Sequence, residues 1–283
     1  MARRGDGCIG EDALRGCWQA LLEFKKCADQ LGAEEHAAVA TAVFREAADG
    51  EQFLQEVKQG EIGLSARIIS QEVEGHIGFE TAVAVAGAAG LDTKPTSIIS
   101  WDTGGGSFQI AAVGASGELQ IWGVALGSAT TTAMMVEEVQ GSRLQDQPSP
   151  NPCSLEDCHL LVKKIQARIG LLPPWLSQRL QTPPANVVAF GAKTGTFALC
   201  AKACDKASWT ASDIWRAIQR LVGSTDAELE EWGYENLGTV RMVLPKLVLV
   251  HSVMSVAGID CASYAAATGG CAGMMLYEDL WPS

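Results

Sequence analysis

Apolar residues in the first ninety positions alternate between helical spacing and short continuous runs. Leu14, Trp18 and Leu21 share one face of a predicted amphipathic helix over 11–31. The pattern then predicts a strand over 36–43, a helix over 45–63 ending near Gly60, a strand over 64–70 and a helix over 71–88. This alternation of helices and strands is typical of an α/β protein.

Three apolar runs separated by glycine turns follow, at 96–103, 107–114 and 118–127, and they predict a β-meander. After the meander, the pattern predicts helices over 128–139 and 154–170, and a strand over 186–191. We expect a loop at 145–152, a proline-rich turn at 173–184, and only helices from 192 to the end.

Composition and charge narrow the class of protein. A chain of 283 residues suits one large domain or two small ones. A formal net charge of −12 argues against a protein that binds nucleic acids or anionic membranes in general. A local cluster of cations and main-chain amides is still compatible with a polyanionic substrate. The two arginines at the N-terminus lack an apolar segment after them, and we expect a soluble, cytoplasmic protein with no membrane partner.

The nine cysteines are odd in number and irregularly spaced. Cys153, Cys158 and His159 do not have a second pair at zinc-finger spacing. We therefore expect buried, reduced thiols in a reducing compartment.

The stretch SIISWDTGGGSFQIAAV (97–113) places an acid and a glycine turn between two predicted strands. Three consecutive glycines imply either positive φ or close approach of a ligand to the main chain. Free amides in such a turn form an anion-binding concavity, and Asp102 is placed to hold a cation beside it. The alternative is a tight hairpin with a solvated Asp102. The candidate phosphate-binding residues are Gly104, Gly105, Gly106 and Ser107.

A second junction of strand and helix lies in VVAFGAKTGTFALCAKA (187–203), with Gly195 and Thr196 at the predicted start of the helix. The first amides of a helix bind phosphate well. A helix cap packed against a strand explains the same residues equally well.

Five segments in this order resemble the exopolyphosphatase / guanosine pentaphosphate phosphohydrolase (Ppx/GppA) family. They are AVATAVFREA (38–47), IISQEVEGHIGF (68–79), WDTGGGSFQI (101–110), FGAKTGTFALCAKA (190–203) and LPKLVLVHSVMSVAGI (244–259). The resemblance implies two ribonuclease-H-like α/β domains of the actin-like ATPase superfold, facing each other across a cleft. It also implies Mg²⁺-assisted hydrolysis of a terminal phosphoanhydride in polyphosphate or a phosphorylated guanine nucleotide.

The resemblance also assigns roles to single residues. Glu74 matches the glutamate that activates the attacking water, and Arg45 matches the arginine that clamps phosphate oxygens. Asp102 matches the metal-linked acid of the family's second phosphate loop. Taken without the family, Glu74 is a solvated acid in the first turn of a helix, and Arg45 forms a surface ion pair.

On this resemblance, residues 1–82 are the remnant of the first domain and 83–283 form the second, with a last helix at 270–283 that packs back on the first. The family's first phosphate loop, Asp-x-Gly-Ser-Asn-Ser, does not occur in this sequence. We therefore expect the first domain to be incomplete. Family members are often dimers, which leaves a homodimer open.

The sequence departs from the family at several positions. Gln109 replaces a glutamate, Val73 replaces an acid beside Glu74, and His76 replaces an arginine; Ala272 and Gly273 stand where the family usually has Arg-Glu. Without a second carboxylate at 73, we expect a lower pKa for Glu74.

Two functions stay open at this point. One is a short exopolyphosphatase-like hydrolase. The other is a catalytically impaired descendant that binds phosphate or nucleotide, or a truncated family member that merely folds. A kinase of the same superfold is a third, more distant alternative.

Overall fold

The computed structural model describes residues 7–237 and 239–281. The helices are α1 (Glu11–Gln30), α2 (Ala42–Glu46), α3 (Gly50–Gln59), α4 (Gln71–Ala86), α5 (Ser128–Met134), α6 (Leu155–Ile169), α7 (Pro174–Gln181), α8 (Thr196–Cys204), α9 (Ala211–Leu221), α10 (Asp226–Glu231), α11 (Val243–Ala257) and α12 (Cys271–Leu276). The strands are β1 (Ala38–Ala40), β2 (Ala66–Ile68), β3 (Ile98–Thr103), β4 (Phe108–Val113), β5 (Leu119–Val124), β6 (Asn186–Gly191), β7 (Ser208–Trp209) and β8 (Ala262–Ala266).

The described residues form two compact units, whose boundary falls between Glu74 and Gly75 within α4. Residues up to 74 and from 277 onward belong to unit 1, and residues 75–276 belong to unit 2. The domain division at 82/83 inferred from the resemblance stays a prediction.

Unit 1 is built on a two-stranded parallel sheet in which Ala40 of β1 lies opposite Ile68 of β2. Helices α1 and α3 contribute to the apolar cluster beside this sheet. The buried members of the cluster are Ala40, Phe53, Leu54, Val57 and Ile62. Trp18 of α1 packs edge-on against Phe53 at 6.3 Å between ring centroids. The amphipathic helix predicted over 11–31 is confirmed by α1.

Unit 2 contains a six-stranded sheet in the order β5-β4-β3-β6-β8-β7. Strands β3, β4 and β5 form the predicted antiparallel meander, and β6 and β8 run parallel to β3. An antiparallel meander joined to two parallel strands is the arrangement expected for a ribonuclease-H-like domain, and β7 adds a short antiparallel edge strand. The α/β fold predicted from the alternating pattern is therefore confirmed.

Helix α11 is a long and strongly apolar helix of unit 2. The segment Val240–Ala257 is long and apolar enough to cross a membrane by length and composition, but 72% of it is buried inside the protein. Such burial on nearly every face is typical of a central core helix in a globular protein.

The structure corrects several predicted elements. The strand predicted over 36–43 is limited to Ala38–Ala40, and the single helix predicted over 45–63 is two helices, α2 and α3. The predicted turn at 173–184 contains α7, which begins with Pro174 because a proline in the first turn of a helix gives up no internal hydrogen bond. The end of the chain is also not entirely helical, since β7 and β8 complete the sheet.

The cysteines divide into buried and accessible groups. All nine are free, as expected, and Cys153, Cys158 and Cys200 are buried. The expectation of burial is wrong for Cys27, Cys261 and Cys271, which are exposed. Burial raises the pKa of the Cys158 thiol to about 12, so this thiol is held in its neutral form.

Within unit 2, Gly273 of α12 makes a close contact with α4. A Cβ atom at this position would lie 1.9 Å from the carbonyl oxygen of Ile77, and the Gly273 amide donates to Thr81 Oγ1 at 2.9 Å. Packing therefore requires glycine at 273, whatever the family has at the matching position.

We predict that Gly273→Ala destabilises unit 2 by about 1–3 kcal/mol, because the added methyl group must push α12 away from α4. Thermal and urea unfolding measure this loss. Gly105→Ala is the control in the same unit, since a Cβ atom there meets only an ordinary contact at 3.8 Å. Equal stability of the two variants would contradict the packing argument.

Candidate functional site

Three loops of unit 2 leave from one edge of its sheet. Strands β3, β6 and β8 are parallel, so the segments after them, 104–107, 192–195 and 267–270, all begin at the carboxyl ends of neighbouring strands. This edge is where ligands bind in open α/β sheets.

In the glycine turn at 104–107, the carbonyl groups of Gly104 and Gly105 accept hydrogen bonds and most of the amides are available. The carbonyl oxygen of Gly104 accepts from the Ser128 amide at 2.9 Å, and that of Gly105 accepts from Ala129 at 2.8 Å. Within the described part of the chain, the amides of Gly105, Gly106 and Ser107 donate no hydrogen bond. Several unused amides in a surface turn are what an anion-binding concavity needs.

The backbone conformation does not explain the three glycines. None of them has a positive φ, which rules out the first of the two causes expected from the sequence. A Cβ atom at Gly104 or Gly105 would meet nothing nearer than 3.8 Å, so crowding within the protein does not require glycine there either. Close approach of a ligand to the main chain, the second cause expected from the sequence, stays a prediction.

The acid and the hydroxyl beside the glycines lie in different surroundings. Asp102 is the last residue but one of β3 and is partly exposed, whereas Ser107 is buried. The buried Gln109 donates from Nε2 to Ser107 Oγ at 3.0 Å. The turn is also a closed hairpin, with the Gly104 amide donating to Ser107 O at 2.9 Å, so the hairpin geometry of the alternative interpretation is present.

The second predicted junction lies where β6 is followed by α8. Gly195 is the N-cap of α8, and its amide donates to Ala192 O at 2.8 Å. Lys193, in the same turn, is exposed. Thr196 is the first residue of the helix and is largely buried. The first-turn amides have no partner inside the helix, as at any helix start.

Unit 1 brings Arg45 and Glu74 together. Because β1 and β2 are parallel, α2 and α4 both begin near the carboxyl ends of these strands. Arg45 Nη1 lies 3.3 Å from Glu74 Oε2 and donates to the Ile69 carbonyl at 2.6 Å. The side chains are 23% and 15% exposed, so the pair is mostly buried.

Burial raises the pKa of the Glu74 carboxyl, and the nearby Arg45 guanidinium opposes this by favouring the charged form. The interpretation of Glu74 as a solvated first-turn acid is therefore wrong. The expectation of a lower pKa than with a second carboxylate at position 73 stays a prediction. For Arg45, the ion pair expected without the family is present, but it is mostly buried and not on the surface.

Sequence reasoning missed the residues that hold the glycine turn in place. Gly127 lies between β5 and α5, and Ser128 and Thr130 lie in the first turn of that helix. The signal was a Gly-Ser pair between a strand and a helix, which is a common helix start. It also missed the Thr-Gly-Gly turn at 268–270, because β8 was not predicted.

The strand order of unit 2 and the division into two units define a protein of the actin-like ATPase superfold. Residues 4–145, half of the chain, match the model of the Ppx/GppA phosphatase family. The chain belongs to this family.

Solved structures agree with this assignment. An exopolyphosphatase-like protein superposes with a TM-score of 0.71 at 18% identity, over 96% of this chain and 86% of that protein. An exopolyphosphatase from Cytophaga hutchinsonii gives 0.70 at 17% identity, over 95% and 83%. A Ppx/GppA family member from Aquifex aeolicus gives 0.68 at 19% identity, over 98% and 84%. At these identities the likeness establishes the fold. No curated protein matches the sequence.

We predict that Glu74→Gln changes the pH dependence of stability. The folded pKa of Glu74 is raised, so its contribution to stability is fully present below the unfolded pKa and is lost as the pH rises through the folded pKa. The wild-type protein should therefore gain stability relative to Glu74→Gln as the pH falls from 7 to 4. Urea unfolding across this range measures the difference.

Glu72→Gln is the control, since it removes an exposed carboxylate from the same helical turn. A constant difference between the wild-type protein and Glu74→Gln from pH 7 to pH 4 would show that burial does not govern the Glu74 carboxyl.

Proposed function

We propose that the protein hydrolyses a terminal phosphoanhydride bond, releasing orthophosphate from polyphosphate or from guanosine pentaphosphate. The observation that carries the proposal is the glycine turn, where the amides of Gly105, Gly106 and Ser107 are unused at the carboxyl edge of the sheet and no positive φ accounts for the glycines. Membership of the Ppx/GppA phosphatase family supports a phosphorylated substrate.

The glycine turn would bind phosphate oxygens through its main chain. Gly104, Gly105 and Gly106 have no side chains, so an oxygen atom can come within hydrogen-bond distance of the amides. Main-chain donors of this kind are held in place before the substrate arrives, and they stabilise charge that develops on transferring phosphoryl oxygens. Gly195 and Thr196 would add the first amides of α8 as a second contact.

Glu74 is the proposed general base, which takes a proton from the water that attacks the terminal phosphorus. A base works best when its pKa is near the working pH, and burial moves the pKa of Glu74 in that direction. Arg45 favours the charged form of the Glu74 carboxyl and so opposes the effect of burial on its pKa. Its guanidinium has five N–H donors, so it can also bind a phosphate oxygen while it contacts Ile69 and Glu74.

The residues beside the glycine turn fit Mg²⁺ that arrives with the substrate. No cluster of three or more His, Cys, Asp or Glu side chains suited to a metal occurs among the described residues. Mg²⁺ is usually held by one or two carboxylates together with substrate phosphates and water, and Asp102 provides one such carboxylate. The chemistry that bound Mg²⁺ supplies is neutralisation of negative charge on the phosphate oxygens.

We predict that the purified protein releases orthophosphate from medium-length polyphosphate with Mg²⁺, and that Glu74→Gln lowers the rate at least a hundredfold because the base is lost. Released phosphate is measured colorimetrically. Glu72→Gln, at the exposed acid of the same turn, should retain the wild-type rate.

Two other results decide against hydrolysis. If no phosphate is released while polyphosphate still raises the melting temperature, the protein is a phosphate-binding descendant of the family. If neither release nor stabilisation occurs, both proposed functions are wrong.

We further predict that Gly105→Ala weakens polyphosphate binding about tenfold or more, because the methyl group keeps oxygens away from the neighbouring amides. Isothermal titration with Mg²⁺–tripolyphosphate measures the affinity. The unfolding midpoint should be unchanged, since the fold leaves room for the methyl group. Unchanged affinity would remove the glycine turn from the site.

A further inference from the structure

We propose that the first turn of α5 sets the orientation of the phosphate-binding amides, with Gly127 and Thr130 as positioning residues. This inference rests on the proposed phosphate-binding function of the glycine turn. Neither Gly127 nor Thr130 is assigned a contact with phosphate. Both act through the two peptide groups that follow Gly104 and Gly105.

The orientation follows from hydrogen bonds between α5 and the turn. The Gly104 carbonyl accepts from the Ser128 amide at 2.9 Å, and the Gly105 carbonyl accepts from Ala129 at 2.8 Å and Thr130 at 3.2 Å. In a trans peptide, the carbonyl oxygen of one residue and the N–H of the next point in opposite directions in the same plane. Fixing the carbonyls toward α5 therefore fixes the amides of Gly105 and Gly106 away from it.

These same contacts use up the amides at the start of α5. Ser128, Ala129 and Thr130 give their N–H groups to the glycine turn, so the start of this helix does not itself offer an anion site. The carbonyl groups of the turn accept hydrogen bonds from α5, and the amides of Gly105 and Gly106 stay exposed. A change in α5 should thus alter phosphate binding without touching the phosphate.

Gly127 permits this close contact. A Cβ atom at this position would lie 2.5 Å from the carbonyl carbon of Gly105 and 2.6 Å from the carbonyl oxygens of Gly104 and Gly105. Real Cβ contacts do not reach such distances, so any side chain here must separate α5 from the turn. The requirement comes from contact between two main chains, because the φ of Gly127 is −140°.

Thr130 holds the entry to α5. Its Oγ1 accepts from the Gly127 amide at 2.7 Å and donates to the Gly127 carbonyl at 3.0 Å. These two hydrogen bonds connect Gly127, which contacts the turn, with Thr130, whose amide donates to the Gly105 carbonyl. Substitution by valine keeps the shape of the side chain and removes both hydrogen bonds, whereas serine keeps the hydroxyl.

Thr130→Val, Thr130→Ser and Thr132→Val test the proposal. Thr132 is the matched control, because its hydroxyl donates only to Ser128 O, one turn earlier in α5. Two quantities are measured on the full chain: the dissociation constant for Mg²⁺–tripolyphosphate by calorimetry, and hydrogen exchange of the Gly105 and Gly106 amides in the free protein by NMR with ¹⁵N-glycine labelling.

We expect Thr130→Val to raise the dissociation constant about tenfold, as loss of one or two hydrogen bonds in a preorganised site implies. The exchange rates of the Gly105 and Gly106 amides should change together with the affinity. Thr130→Ser should restore both quantities, and Thr132→Val should leave them at the wild-type values. A structural role alone would lower the melting temperature in both valine variants without this pattern.

Two results separate this inference from the function on which it rests. If the wild-type protein binds tripolyphosphate and Thr130→Val binds it equally well with unchanged amide exchange, the positioning role is overturned and the function stands. If the wild-type protein does not bind tripolyphosphate, the proposed function fails. The exchange measurement on the free protein then still decides whether α5 orients the turn.

Discussion

The hydrogen bonds between the start of α5 and the carbonyls of Gly104 and Gly105 are the constraint on which the candidate site depends. A glycine-rich turn left to itself samples many peptide orientations, including ones that present a carbonyl oxygen to an approaching anion. Here the carbonyls are held by α5, and the contact is so close that a side chain at Gly127 cannot be accommodated. The turn therefore presents N–H groups on the side away from α5. The sheet determines where the turn lies, because the turn follows β3 at the edge where β6 and β8 also end.

In unit 1 the balance is between two opposing electrostatic effects. Burial of Glu74 disfavours its charged form, and Arg45 at 3.3 Å favours it. The net effect is a raised pKa, so this carboxylate accepts a proton more readily than an exposed one would. The same geometry would suit a purely structural ion pair. The rate of the Glu74→Gln variant distinguishes that role from the role of a general base. Either way, the parallel pairing of β1 and β2 brings together two residues separated by nearly thirty positions in the chain.

The parts of the fold with strong local signals could be predicted from the sequence. The meander β3–β4–β5 is marked by apolar runs between glycine turns, and α1 by its spacing of Leu14, Trp18 and Leu21. Strand β8 could not be predicted, since Ala-Ser-Tyr-Ala-Ala lacks the β-branched residues typical of strands and is paired by its neighbours β6 and β7. Asp102 and the glycines were evident as a candidate site. The role of Gly127 was not, because contact between two main chains leaves no pattern in the sequence beyond a single glycine.

The measurement that tests the central claim most directly is an NMR titration of ¹⁵N-glycine-labelled protein with tripolyphosphate and Mg²⁺. If main-chain amides of the turn bind phosphate oxygens, the resonances of Gly105 and Gly106 move in a saturable manner, and that of Gly141, which follows the helical segment continuing from α5, stays in place. Saturable binding that leaves Gly105 and Gly106 unmoved would contradict the account, as would the absence of any binding at millimolar ligand.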